Sequence, residues 1–142
     1  MNLRGTAFAI VAAILVGACT ESNKGTDVRH WTDDLAVRIS VDPMPPRAQE
    51  QIVYKVIVTD KKSNQPIDTG EGRIFATSHD GASASDGLAK GKEVGTYYAR
   101  LSFITSGDWA IALQFRRDTS NRRTALQRMD WIQSVAAPTP GN

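Results

Sequence analysis

The stretch TYYARLSFITSGDWAIALQFRR, residues 96–117, decides the fold. Tyr97, Ala99, Leu101 and Phe103 alternate with Tyr98, Arg100 and Ser102. After TSGD, Trp109, Ile111, Leu113 and Phe115 alternate with Ala110, Ala112, Gln114 and Arg116. A period of two sends each apolar set to one face of an extended chain, so two half-buried strands are expected. Gly107 and Asp108 suit a tight turn that needs a positive φ. Trp109 then enters the core as a large apolar plug.

The same alternation recurs outward from this stretch. In LAVRISV, Leu35, Val37, Ile39 and Val41 share one face, and the run stops at Pro43, Pro45 and Pro46. QIVYKVIVTD, residues 51–60, is rich in β-branched residues and reads as a strand. KKSNQP is a turn cluster, and GRIFATS, residues 72–78, is a further strand. HDGASASDGLAKGKEVG, residues 79–95, has no apolar period and reads as loop. DTSN turns the chain again before residues 124–135, which carry two patterns. Leu126, Met129 and Ile132 suit a helical face, while Gln127, Met129, Trp131 and Gln133 suit an edge strand. A strand is the expectation, because the segment follows a hairpin-like turn. Six or seven short strands with turns about every ten residues predict an all-β, antiparallel β-sandwich. No helical segment separates the strands, which excludes parallel βαβ units.

The chain has 142 residues, enough for one domain with appendages. The formal charge of +2 excludes a strongly electrostatic partner such as nucleic acid. The one cysteine, Cys19, makes neither an internal disulfide nor a thiolate metal cluster. It follows MNLRGTAFAIVAAILVGA, where Arg4 is a positive n-region and Ala7 to Val16 are all apolar. That run is short of the roughly 20 residues needed to span a bilayer as a helix. Val16-Gly17-Ala18-Cys19 resembles the bacterial lipobox. The resemblance implies cleavage before Cys19, acylation of its thiol and amine, and stable attachment to a membrane. The expected organisation is a signal peptide over 1–18, a lipidated Cys19 and polar tether over 19–33, a sandwich over 34–136, and a tail over 137–142. Within the tether, His30 and Trp31 are the residues able to begin the fold. The location is then extracytoplasmic, with the outer membrane or the periplasmic face as the site of anchoring in a Gram-negative cell.

Three segments together resemble the YtkA-like and FixH-like group of bacterial extracytoplasmic domains. They are VYKVIVTDKKSNQPI (53–67), GTYYARLSF (95–103) and TSGDWAIALQF (105–115). In the first, Asn64-Gln65 stands where the group has a glycine-containing turn. The resemblance implies an immunoglobulin-like fold and carries no chemistry of its own. Some of the group and its relatives are linked to copper handling or to assembly of haem-copper oxidases. Those members have methionine and histidine after the third strand. Here that position reads Ser78-His79-Asp80, and the methionines are Met1, Met44 and Met129. Copper, with His79 and more remotely His30 as ligands, is therefore an alternative; copper sites want several nitrogen or soft sulfur ligands.

No nucleophile motif is present, so no catalytic activity is expected. His79, Asp80 and Asp86 share a small-residue loop, which reads first as a solvated loop and second as a ligand site. Arg116, Arg117, Arg122, Arg123 and Arg128 crowd one turn. They read either as an edge kept soluble by charge or as a patch for an anionic partner such as lipid head groups. The tryptophans at 31, 109 and 131 read as core and rim aromatics. The functional expectation is a lipid-anchored binding or accessory module acting on a membrane-protein or envelope-protein partner. A structural envelope protein touching anionic lipid is a further alternative.

Overall fold

The computed structural model describes residues 27–121 and 123–141. The signal segment and Cys19 lie outside the described residues, as does Arg122. Nine strands and no helix occur among the described residues: β1 (Val28–Trp31), β2 (Leu35–Asp42), β3 (Gln51–Asp60), β4 (Glu71–Ser78), β5 (Ser83–Gly87), β6 (Ala89–Lys90), β7 (Thr96–Ser102), β8 (Gly107–Arg116) and β9 (Leu126–Val135). They form two antiparallel sheets, ordered β1-β2-β3-β7-β6 and β5-β4-β8-β9. The sheets stack face to face as a sandwich.

The alternation of the sequence is the cause. Leu35, Val37 and Ile39 of β2 are buried, as are Ile52, Tyr54, Val56 and Val58 of β3. Tyr97, Ala99 and Leu101 of β7 face Trp109, Ile111, Leu113 and Phe115 of β8 across the same core. Phe103 packs on Trp109 with ring centroids 5.0 Å apart, and the Trp109 Nε1–H donates to the Thr105 carbonyl at 3.1 Å. The buried cluster lies wholly between Leu35 and Val135, so this segment carries a complete core of its own. Residues 126–135 are a strand: Met129 and Val135 turn inward with half-buried Trp131, and the helical spacing of Leu126, Met129 and Ile132 is not used.

Left-handed backbone at Gly107 and Asn64 closes two of the turns. Gly107 has φ of 114°, as the turn before Trp109 requires. Asn64 has φ of 60°, a region that asparagine tolerates better than most residues.

The stretch 79–95 differs from the loop expected. It contains β5, paired with β4 from Arg73↔Gly87 to Thr77↔Ser83, and the two-residue β6. Strand β5 is SASDG, whose small residues give no apolar period and are never fully buried. Backbone pairing to β4 defines it, with only small Ala84 packed against the core, so side-chain patterning does not reveal it. Residues 28–31, within the polar stretch before the first apolar run, pair with β2 as β1.

Candidate functional site

In VRHW, the alternation of β1 sends Arg29 and Trp31 outward and His30 inward. The register sets Arg29 opposite Arg38 and Trp31 opposite Ala36, and β3 continues these rows with Ile57 and Thr59. Ala36 is small, so the Trp31 ring and the Thr59 side chain stand as walls with a low floor between them. The result is a shallow groove of about 340 Å³ on the outer face of the sheet. Trp31 is 62% exposed, an unusual position for so large an apolar ring. Arg38 Nε lies 3.4 Å from Asp27 Oδ2. No carboxylate among the described residues pairs with Arg29. Like charges directly across a strand pair are destabilising, so Arg29 and Arg38 leave positive potential on this face that an anion would relieve. Their pairing depends on register, and the sequence signal that exists is the outward Arg-x-Trp of β1.

The inward residue, His30, packs on Trp131 of the opposite sheet with ring centroids 5.3 Å apart. His30 Nε2 and Trp131 Nε1 are both buried without a hydrogen-bond partner. Burial pushes the His30 imidazole below its usual pKa, and nearby Asp130 opposes that shift. His30 thus closes the sandwich edge against the indole.

His79 lies at the tip of the β4–β5 hairpin and is exposed. Its neighbours are occupied by the turn. Ser78 Oγ donates to the Asp80 carboxylate, which holds that carboxylate below its usual pKa, and also receives the Ala82 N–H at 3.0 Å. Asp86 points away and accepts the Arg100 N–H of β7 at 2.7 Å. Among the described residues, no three His, Cys, Asp or Glu side chains gather closely enough to hold a metal ion. His79 and His30 belong to different elements, one at a solvent-exposed turn and the other against an indole. Among the described residues, they do not come together as ligands of one copper centre, which wants several nitrogen or soft sulfur donors.

The described arginines of the β8–β9 end are not gathered into one patch. Arg116 Nη1 meets Glu71 Oε1 at 3.3 Å across the β4–β8 pair. Arg117 Nη2 meets Asp60 Oδ2 at 2.6 Å, and its Nη1 meets Asp34 Oδ2 at 3.4 Å. Gln127 Nε2 adds a 2.5 Å hydrogen bond to Asp34 Oδ1. Asp34 directly precedes β2 and Asp60 ends β3 of the first sheet, while Arg117 directly follows β8 and Gln127 lies in β9 of the second, so this cluster latches the two sheets. Arg128 Nη2 meets Asp130 Oδ1 at 2.8 Å along β9. Arg123 is exposed in the hairpin.

No protein-family model matches the chain, and no curated protein matches it. Solved structures do. A DUF4426-family protein from Pseudomonas aeruginosa aligns with a TM-score of 0.56 at 14% identity, over 80% of this chain and 97% of that one. A copper-bound variant of FetP from uropathogenic Escherichia coli aligns with a TM-score of 0.57 at 6% identity, over 82% and 94%. A copper-bound variant of Campylobacter jejuni P19 aligns with a TM-score of 0.53 at 8% identity, over 76% and 94%. At these identities the likeness is one of fold, and the fold of this chain is an immunoglobulin-like β-sandwich.

Proposed function

We propose that the protein is a lipid-tethered, extracytoplasmic binding module without catalytic activity, and that the Trp31 groove receives an anionic segment of a membrane or envelope protein. The observation that carries this reading is the exposed Trp31 beside two arginines set directly opposite each other. A flat aromatic with adjacent guanidinium groups matches the chemistry enriched at the energetic centres of protein interfaces. Position supports the reading as well. From Cys19 to Asp27 an extended chain reaches at most about 30 Å, so an acylated Cys19 keeps this edge near the membrane surface.

Site-specific photo-cross-linking in intact cells tests it. A photoreactive residue at Ala36, in the groove, is expected to give a discrete membrane-protein adduct that Trp31→Ala removes. The same residue at Thr77, on the outer face of the other sheet, is expected to give none. Equal adducts from both positions, or an Ala36 adduct indifferent to Trp31, would sink the proposal.

Copper handling is the second reading, favoured by the copper-bound FetP and P19 variants that share the fold. A copper titration of residues 24–142 beside a His79→Ala variant tests it. Micromolar or tighter binding lost in the variant supports copper. Absent binding, or weak binding indifferent to His79, removes that reading.

A further inference from the structure

Strand β9 is ten residues long and pairs only with β8 among the described residues, so its other edge is open. Its far end shows which backbone groups point to that edge. The Ala136 N–H donates to the Pro46 carbonyl at 2.8 Å, and the Ala136 carbonyl accepts the Ala48 N–H at 2.9 Å. Backbone direction alternates along a strand, so Leu126, Arg128, Asp130, Ile132 and Ser134 present their N–H and C=O groups on that same side. A long open edge is a template for another strand, and proteins ordinarily blunt such edges.

The side chains of these residues carry a pattern of their own. Leu126 is 48% exposed and Ile132 is 66% exposed, and both lie on the outer face. Between them, Arg128 and Asp130 are each 58% exposed. An antiparallel pairing of two β9 strands centred on Met129 sets Arg128 opposite Asp130 of the second copy, and Asp130 opposite Arg128. The same register sets Leu126 opposite Ile132 and Ile132 opposite Leu126. All four pairs fall at positions whose backbone groups face the edge, so side-chain complementarity and the hydrogen-bond register agree. The segment is its own complement under a twofold axis, as an isologous interface requires.

We propose that β9 is a self-association edge, through which two copies of this chain join their four-stranded sheets into one continuous eight-stranded sheet. A second copy is the occupant because the edge matches its own sequence in charge and in apolar positions. The Trp31 groove lies on the outer face of the other sheet, but Trp31 and Arg128 also line a shared cleft where the β1 and β9 edges adjoin, so the two surfaces are neighbours; the inference rests on the β9 residues alone.

The test is sedimentation equilibrium of residues 24–142, a segment that contains the complete core. Arg128→Asp and Asp130→Arg are made separately, with near-UV circular dichroism to confirm the native fold. Each variant sets like charges opposite one another in its own homodimer. Wild type is expected to dimerise reversibly, and each variant is expected to do so about tenfold or more weakly. An equimolar mixture of the two variants restores opposite charges in both pairs, and its heterodimer is expected to approach wild-type affinity. A wild type that stays monomeric to its solubility limit overturns the proposal. So do variants that dimerise as tightly as wild type, or a mixture no tighter than its components.

Discussion

The arginines of the β8–β9 hairpin and of the neighbouring β1–β2 edge have opposite electrostatic circumstances. At the β8–β9 end, Arg116, Arg117 and Arg128 each meet a carboxylate. At the β1–β2 edge, Arg29 and Arg38 face each other, and Asp27 answers only Arg38. The end richest in arginine is therefore the one whose described guanidinium groups mostly have carboxylate partners, one of them, Arg117, joining the two sheets. The sparser edge keeps charge available, beside an exposed aromatic. Charge density along a sequence counts ions, whereas recognition depends on which ions remain unpaired after folding.

The tryptophans sharpen this comparison first, with the largest effect. Trp109 is 1% exposed and Trp31 62% exposed. Trp109→Ala is expected to lower stability by about 3–5 kcal/mol, through lost transfer energy and the cavity left behind. Trp31→Ala is expected to stay within about 0.5 kcal/mol of wild type. Urea denaturation of both variants measures the difference. A large loss at Trp31 would make its ring structural and remove the reason for placing a partner there.

Removing one arginine from each region is expected to act with opposite sign. Arg117→Met breaks contacts to Asp34 and Asp60 at once and is expected to lower the urea midpoint clearly. Arg29→Met relieves a like-charge pair and is expected to raise stability by about 0.2–1 kcal/mol at low salt, with the gain fading as salt screens the repulsion. If both substitutions lowered the midpoint alike, the two regions would not differ as described.

The latch also has a pH signature. The Asp60 carboxyl is held far below the usual carboxylate range, by the Ser63 N–H first, then by the Arg117 guanidinium and the Ser63 hydroxyl. A carboxyl with a depressed folded-state pKa contributes stability that is fully present above its unfolded pKa, about 4. That contribution is lost as pH falls from there toward the folded value. Asp60→Asn is expected to flatten the loss of stability below pH ~4 and to leave the profile near neutrality unchanged in shape. A wild-type slope that survives the substitution would assign the acid sensitivity to other carboxylates.

How much of this was legible in the sequence follows from the physics of each element. Strands β2, β3, β7 and β8 bury one face each, so their alternation announces them. Strand β5 buries neither face fully and is made of small residues, so only its partner β4 reveals it. The Arg117 contacts join residues 83 positions apart at Asp34, and no local pattern records such a pairing. The β1 groove needs the β1–β2 register, since Arg38 and Ala36 acquire meaning only when Arg29 and Trp31 lie beside them. His79 looked ligand-like because its neighbours carry oxygen, yet the hairpin turn and the β7 backbone use those oxygens.

Recognition at the Trp31 groove is tested by comparing two charge reversals through the yield of the cross-link from Ala36. Arg29→Glu reverses a charge in the groove, and Arg123→Glu reverses an exposed charge at the arginine-rich hairpin. The adduct is expected to be lost with Arg29→Glu and kept with Arg123→Glu. An adduct that survives the first reversal and disappears with the second would place recognition at the hairpin and contradict the assignment to the Trp31 groove.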